Sequence, residues 1–230
     1  QTMSMTTKAA VLTAPGKPFE IVELALDEPR EGEVLIKYTA AGLCHSDLHL
    51  TDGDLPPRYP IVGGHEGSGI IEAVGPGVTK VKPGDHVVCS FIPNCGTCRY
   101  CSTGRQNLCD MGATILEGSM PDGTFRFHGG GDDFGAMCML GTFAGHGVVH
   151  QFSCVRVDPD LPPANAALVG CGVPTGWGAA ARAEMPLQIA DPPHQLGHGD
   201  RPRDGVDGPD DLGDLDELGL HDEFHAIVGG

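Results

Sequence analysis

The chain has 230 residues, with 31 acidic against 14 basic side chains, a formal net charge of −17, and nine cysteines. That charge argues against nucleic-acid backbones and anionic membranes as partners, and no apolar run approaches the roughly 18 residues of a membrane span. The length suits one large domain or two small ones. Four of the cysteines crowd into one short stretch, so an intracellular metalloprotein, placed in the cytoplasm, explains them better than secretion.

Residues 1–7 are polar and expected to be frayed, with Met3 or Met5 as the natural start and no secretory leader before Lys8. Lys8–Thr13 and Phe19–Leu26 read as short strands around the turn residues Ala14-Pro15-Gly16-Lys17-Pro18. Glu33–Tyr38, Gly67–Val74 and Asp85–Cys89 continue the theme, separated by Gly- and Pro-containing turns. Short punctuated strands predict a mainly β fold with short helices, an irregular antiparallel barrel. Val34-Leu35-Ile36 and Ile70-Ile71 are expected in its core. Between these strands lie Cys44-His45-Ser46-Asp47 and, about twenty residues on, Gly64-His65-Glu66. Alone, each has an ordinary reading: a small buried thiol, a surface histidine, or a Ser46 that caps a helix beginning near Asp47.

The stretch Cys95-Gly96-Thr97-Cys98-Arg99-Tyr100-Cys101 through Cys109 is more specific. Four thiolates at this spacing wrap one ion tetrahedrally, the closed pattern of a structural zinc site. Two disulfides here would close strained loops of a few residues. An iron–sulfur cluster also uses Cys-x-x-Cys-x-x-Cys runs, though Cys109-Asp110 lacks the Cys-Pro of the bacterial form.

Taken together, Cys44-His45-Ser46-Asp47, Gly64-His65-Glu66, the four-cysteine loop and Gly170-Cys171-Gly172 resemble the zinc-dependent medium-chain alcohol dehydrogenases, in the same order and over residues 8–181. Gly170–Gly178 further resembles the actinobacterial nicotinoprotein branch. The resemblance implies a GroES-like catalytic domain, placed at 8–182, and hydride transfer between a small alcohol or aldehyde and NAD. It implies two zinc ions: a catalytic one on Cys44, His65 and Cys171, with an open fourth position, and a structural one on Cys95, Cys98, Cys101 and Cys109. It makes Ser46 the acceptor of the substrate proton and His49 the base that hands it to solvent, a role that suits a histidine. His45 and Thr175 match coenzyme contacts, Asp47 and Glu66 match carboxylates that orient the metal ligands, and Phe91, Met139 and Leu140 match the substrate pocket. Cys89, Cys138 and Cys154 match no ligand position and read as small buried residues. The family also allows an oligomer in its full-length members.

The pattern breaks after Ala181. The family continues into a glycine-rich turn that brings backbone N–H groups against the coenzyme pyrophosphate, whereas residues 183–230 hold 12 acids, two arginines and no such fingerprint. An acidic Gly/Pro-rich tail, largely unstructured, is expected in place of the coenzyme domain. Its character resembles a truncation followed by unrelated residues, and its His194/His198 and His221/His225 pairs read as solvated. The expected whole is an enzyme lineage that is incomplete and inactive as this chain alone. The competing reading is a zinc-binding GroES-like module without catalysis. Upstream, Gly145 and Gly147 are expected to weaken the strand leading to Val148-Val149.

Overall fold

Alternation along Glu33–Tyr38 places Val34, Ile36 and Tyr38 on one face, and that face is buried. The same logic builds the rest of a computed structural model that describes residues 5–55 and 57–182. In chain order the elements are β1 (Met5–Leu12), β2 (Glu20–Leu26), β3 (Glu33–Gly42), α1 (His45–Asp52), β4 (Ile61–Val62), β5 (Glu66–Val74) and β6 (His86–Cys89). They continue with β7 (Phe127–Gly129), β8 (Asp132–Ala136), β9 (His146–His150), β10 (Cys154–Arg156), α2 (Pro163–Leu168) and α3 (Gly172–Arg182).

Strands β1, β2, β7, β8 and β4 close a barrel, and β10, β6, β5, β3 and β9 form a five-stranded sheet in that order. The pairings are antiparallel except β4 with β8. The mainly β, GroES-like expectation therefore holds, with the four-cysteine loop folded into short 3-10 turns. Three apolar clusters fill the interior: Val34, Ile36, Tyr38 and Ile71 under the sheet, Val11, Leu24, Leu26 and Phe127 in the barrel, and Leu12, Phe19, Leu50 and Phe143 beneath α1. Burying each large side chain contributes about 1.5–3 kcal/mol.

Several expectations change in detail. Met5, Thr6 and Thr7 are not frayed; they pair with Leu26, Ala25 and Leu24 at the start of β1, and Thr7 is buried. The hairpin β7–β8 turns through Gly130 and Gly131 at φ +61 and +94, the left-handed conformations that a two-residue hairpin turn requires. Gly147 does not weaken β9. A Cβ there would meet the Tyr38 ring and hydroxyl at 2.9 Å, so glycine is what lets Tyr38 pack and donate its hydroxyl to the Leu140 carbonyl at 2.8 Å. The acidic tail, with its histidine pairs, lies outside the described residues. Among those described, no helix is long and apolar enough to cross a membrane.

Candidate functional site

Three chain segments meet at one end of the sheet, and each brings a metal-binding donor at the junction of two elements. Cys44 is the N-cap of α1, in extended conformation between β3 and the helix. Its backbone N–H donates to Asp47 Oδ2 at 2.9 Å, and its carbonyl accepts from the Asp47 N–H at 2.9 Å. The thiol takes the capping position usually held by serine or threonine, so Ser46 is not the cap. Gly53, at φ +87, ends the helix by donating its N–H to the His49 carbonyl.

His65 enters just before β5, after Gly64 at φ +85. That loop is pinned by Thr142 and Phe143, whose N–H groups donate to the Gly64 and Gly63 carbonyls at 3.1 and 3.0 Å. The Phe143 ring stacks edge-on against Phe19 at 5.9 Å, and a Cβ on either glycine would collide with Phe143. Cys171 comes last, immediately before α3, its carbonyl accepting from the Thr175 N–H at 3.0 Å.

One donor atom each from Cys44, His65, Glu66 and Cys171 lies within 4.8 Å of all the others. Two carboxylates tie these segments together. Asp47 Oδ1 faces His65 Nδ1 at 3.5 Å, an ion-pair contact rather than a hydrogen bond, and Glu66 Oε1 accepts from the Gly172 N–H at 3.0 Å. Asp47, His65 and Glu66 are 2–3% exposed, yet Asp47 Oδ1, His65 Nδ1 and Glu66 Oε2 have no hydrogen-bond partner. Burying such atoms unsatisfied costs about 1–3 kcal/mol each. Asp47 Oδ1 and His65 Nδ1 face one another, which leaves His65 Nε2 for a cation, and Glu66 Oε2 is a buried, unpartnered oxygen on a residue of the donor group. The residues present fit the zinc that two thiolates and an imidazole select. Burial pushes His65 down, but the Asp47 carboxylate and Cys44 outweigh it and hold the imidazole up. Burial also raises Glu66, with His65 and the Gly172 N–H opposing, and pushes the Cys171 thiol up to about 11.

The four cysteines of the Cys95–Cys109 loop form a second group, their sulfurs also within 4.8 Å of one another. The N–H groups of Cys98 and Cys101 donate to the sulfurs of Cys95 and Cys98, each at 3.4 Å. Burial pushes Cys95 up, but N–H donation from Thr97 and Cys98 outweighs it and brings that thiol down to about 6. Every cysteine is free, so disulfides do not account for the loop.

The remaining site expectations divide. Phe91 is 36% exposed with its ring 6.4 Å from that of His65, on a groove of about 410 Å³ that also touches Gly170 and Pro174 beside Cys171. Met139 and Leu140 are corrected. They are 2% and 0% exposed, Leu140 lies in the core under the sheet, and Met139 accepts from the Thr114 hydroxyl at 3.3 Å. Side chains so enclosed present no wall to a ligand. Ser46 Oγ accepts from the Cys44 thiol at 3.8 Å. His49 stacks edge-on to His45 at 4.6 Å and pairs with Asp54 at 3.1 Å; among the described residues, Ser46 and His49 share no hydrogen bond. Thr175 Oγ1 is 3.9 Å from Cys171 Sγ.

Sequence reasoning missed Thr142 and Phe143 as supports of the His65 loop, and Cys138 as a neighbour of the site. Cys138 and Met139 adopt φ +54 and +60, and burial pushes the Cys138 thiol up to about 12, aided by Asp47, Cys171 and Cys44 nearby. Nothing in their residue types signals a left-handed backbone.

Known proteins are similar to this chain in sequence and fold. A model of the alcohol dehydrogenase GroES-like domain matches residues 30–159. Over 176 residues the chain is 77% identical to the NDMA-dependent alcohol dehydrogenase of Amycolatopsis methanolica, covering 76% of this chain and 47% of that protein. Among solved structures, it is similar to an alcohol dehydrogenase zinc-binding domain protein from Burkholderia ambifaria (TM-score 0.73, 33% identity, 79% of this chain and 50% of that one). It is also similar to benzyl alcohol dehydrogenase from Acinetobacter calcoaceticus (TM-score 0.70, 36% identity, 78% and 48%). The chain thus spans about half the length of the relatives it matches. Its barrel, its two clustered donor sets and these likenesses agree: the chain belongs to the zinc-dependent alcohol dehydrogenase family, through its GroES-like domain.

Proposed function

We propose that this chain is the zinc-holding catalytic part of an oxidoreductase that moves hydride between a small alcohol or aldehyde and a nicotinamide cofactor. The observation that carries the reading is the convergence of Cys44, His65 and Cys171, with His65 backed by buried Asp47. Zinc bound there supplies Lewis-acid chemistry, lowering the pKa of an alcohol oxygen. Two ions are held per chain, the second by Cys95, Cys98, Cys101 and Cys109 in a structural role. Phe91, which lines the groove and lies edge-on to the His65 ring, bounds the substrate side. The Ser46 hydroxyl, beside Cys44, takes the alcohol proton, and half-exposed His49, braced by Asp54, delivers it to solvent. His45, stacked beside His49, and Thr175, in the first turn of α3, face the coenzyme. The catalytic domain occupies 8–182, and 183–230 lies outside it.

Hydride transfer needs the nicotinamide held against the alcohol carbon, and the sequence has no glycine fingerprint to cradle a pyrophosphate. This chain alone therefore binds NAD no tighter than about millimolar, on the order of 4 kcal/mol, and gives no NAD-linked turnover. Titration calorimetry with NAD and NADH, beside a turnover assay on short alcohols with a dye acceptor, tests this. Micromolar affinity or steady turnover would refute the incomplete reading. That missing fingerprint also favours a second reading, a zinc-binding module without catalysis. Failure to bind alcohols at all, with zinc in place, would select it.

A further inference from the structure

Six of the nine cysteines supply the two donor groups, which leaves Cys89, Cys138 and Cys154. Two of these three face each other. Cys89 ends β6 and Cys154 begins β10, and they are direct cross-strand partners. The Ser90 N–H donates to the Ser153 carbonyl at 2.8 Å, and the Val157 N–H to the His86 carbonyl at 2.9 Å. Ladder bonds in an antiparallel pair fall on alternate residue pairs, so Cys89 and Cys154 occupy a non-hydrogen-bonded position. Opposed Cα atoms at such a position sit about 4.5 Å apart, within the separation that a disulfide spans. Both side chains lie in the same apolar cluster, 0% and 3% exposed.

We propose that Cys89 and Cys154 are a reversible redox-modification site, closing into a cross-strand disulfide by exchange with a low-molecular-weight disulfide. Access comes from the edge: β10 is three residues long and terminates the sheet, with Val155 half exposed. Short edge strands open locally at low free-energy cost. Burial pushes the Cys154 thiol up to about 12 and the Cys89 thiol well above its usual range, so the pair is inert until β10 opens.

The exchange balances in two steps. Cys154, deprotonated in the open state, attacks one sulfur of the external disulfide; that S–S bond breaks and one small thiolate leaves, taking up a proton. Cys89 then attacks the Cys154 sulfur of the mixed disulfide and expels the second small thiol. Two protein thiols are oxidised and one external disulfide is reduced to two thiols. The closed bond staples β10 to β6 across a loop containing all four cysteines from Cys95 to Cys109. It also holds the Cys89 carbonyl against Gly170, where a Cβ would approach that oxygen to 2.6 Å, one residue before Cys171.

The test uses the whole zinc-loaded chain and oxidised glutathione. Intact mass should fall by two hydrogens without a retained glutathione, and fragmentation of the linked peptides should join Cys89 to Cys154 rather than to Cys95 or Cys138. Amide exchange at Val155 should slow about tenfold or more, and dithiothreitol should reverse both changes. Cys154→Ala should abolish the link; if that variant does not fold, the fragmentation map of the natural chain decides alone. A link between other cysteines, a mixed disulfide at Cys154 that never resolves, or complete resistance to glutathione disulfide would each overturn the proposal.

Discussion

Replacing Asp47 by asparagine separates two jobs that one carboxylate performs. Oδ2 accepts the Cys44 N–H at 2.9 Å at the start of α1, while Oδ1 faces His65 Nδ1 at 3.5 Å. The substituted amide keeps an oxygen for the cap but removes the negative charge that orients the imidazole. Carboxylates behind a ligating histidine typically sustain 10- to 100-fold of metal affinity, about 1.4–2.8 kcal/mol. We expect Asp47→Asn to weaken zinc at the Cys44–His65–Cys171 group by that factor and to leave the four-cysteine group untouched. Asp47→Ala loses the cap as well and should cost about 1 kcal/mol more in stability. Chelator competition read by cobalt absorption would resolve the two metal populations, with thermal melts run alongside. Zinc affinity within about twofold of the natural chain for Asp47→Asn would show that the carboxylate serves the helix alone.

Three further outcomes follow from the same geometry. Cys98→Ser should halve the zinc found by elemental analysis and lower the melting temperature, because a closed site contributes folding free energy, whereas Cys44→Ser should remove one zinc with a smaller loss; equal melts for both would erase the distinction. Gly147→Ala forces a Cβ to 2.9 Å from Tyr38, which its hydroxyl bond to Leu140 holds in place. About 1–3 kcal/mol should be lost, or about 2–12 °C in this size range, and an unchanged melt would mean that the sheet yields there. Burial opposes the ionised Asp122, but Thr124 and Arg126 outweigh it and hold its carboxyl at about 2, below the ordinary 3.8. Its contribution is therefore present above about pH 4 and lost as pH falls towards 2, so the natural chain's advantage over Asp122→Asn should fade across that window, and a pH-independent difference would count against it.

The ligands are legible in the sequence because each sits in a short motif whose residue types metal chemistry restricts: two thiols and an imidazole for one group, four thiols for the other. The barrel is legible where apolar alternation is regular, as along Val34, Ile36 and Tyr38. The β7–β8 hairpin escapes a reading of pattern although Gly130-Gly131 marks its turn, because Phe127–Gly129 and Asp132–Ala136 carry charged and small residues rather than a clean alternation. Leu140 is misplaced by resemblance because resemblance conveys position and not burial: the Tyr38 hydroxyl on its carbonyl and the packed sheet face enclose it here. Thr142 and Phe143 act through backbone N–H groups, which nearly every residue carries, so no side-chain pattern could announce them.

What makes three distant segments one site is a division of labour between backbone and side chain. Each donor stands where an element begins: Cys44 before α1, His65 before β5, Cys171 before α3. Helix starts expose N–H groups that lack partners within the helix, and two carboxylates use them, Asp47 on the Cys44 N–H and Glu66 on the Gly172 N–H. Both carboxylates also touch the His65 segment, Asp47 through the imidazole and Glu66 as the next residue in the chain. Asp47 thus fixes the first cysteine relative to the histidine, and Glu66 fixes the last. Although α3 has no buried residue, Cys171 is placed from its N-terminal side, where α2 buries Ala166 and Ala167 and Gly170 lies so close that a Cβ would meet the Cys89 carbonyl at 2.6 Å. The hydrogen bond from Gly172 to Glu66 adds a tether on the other side of that ligand, so the third donor is held between a packed helix end and a carboxylate.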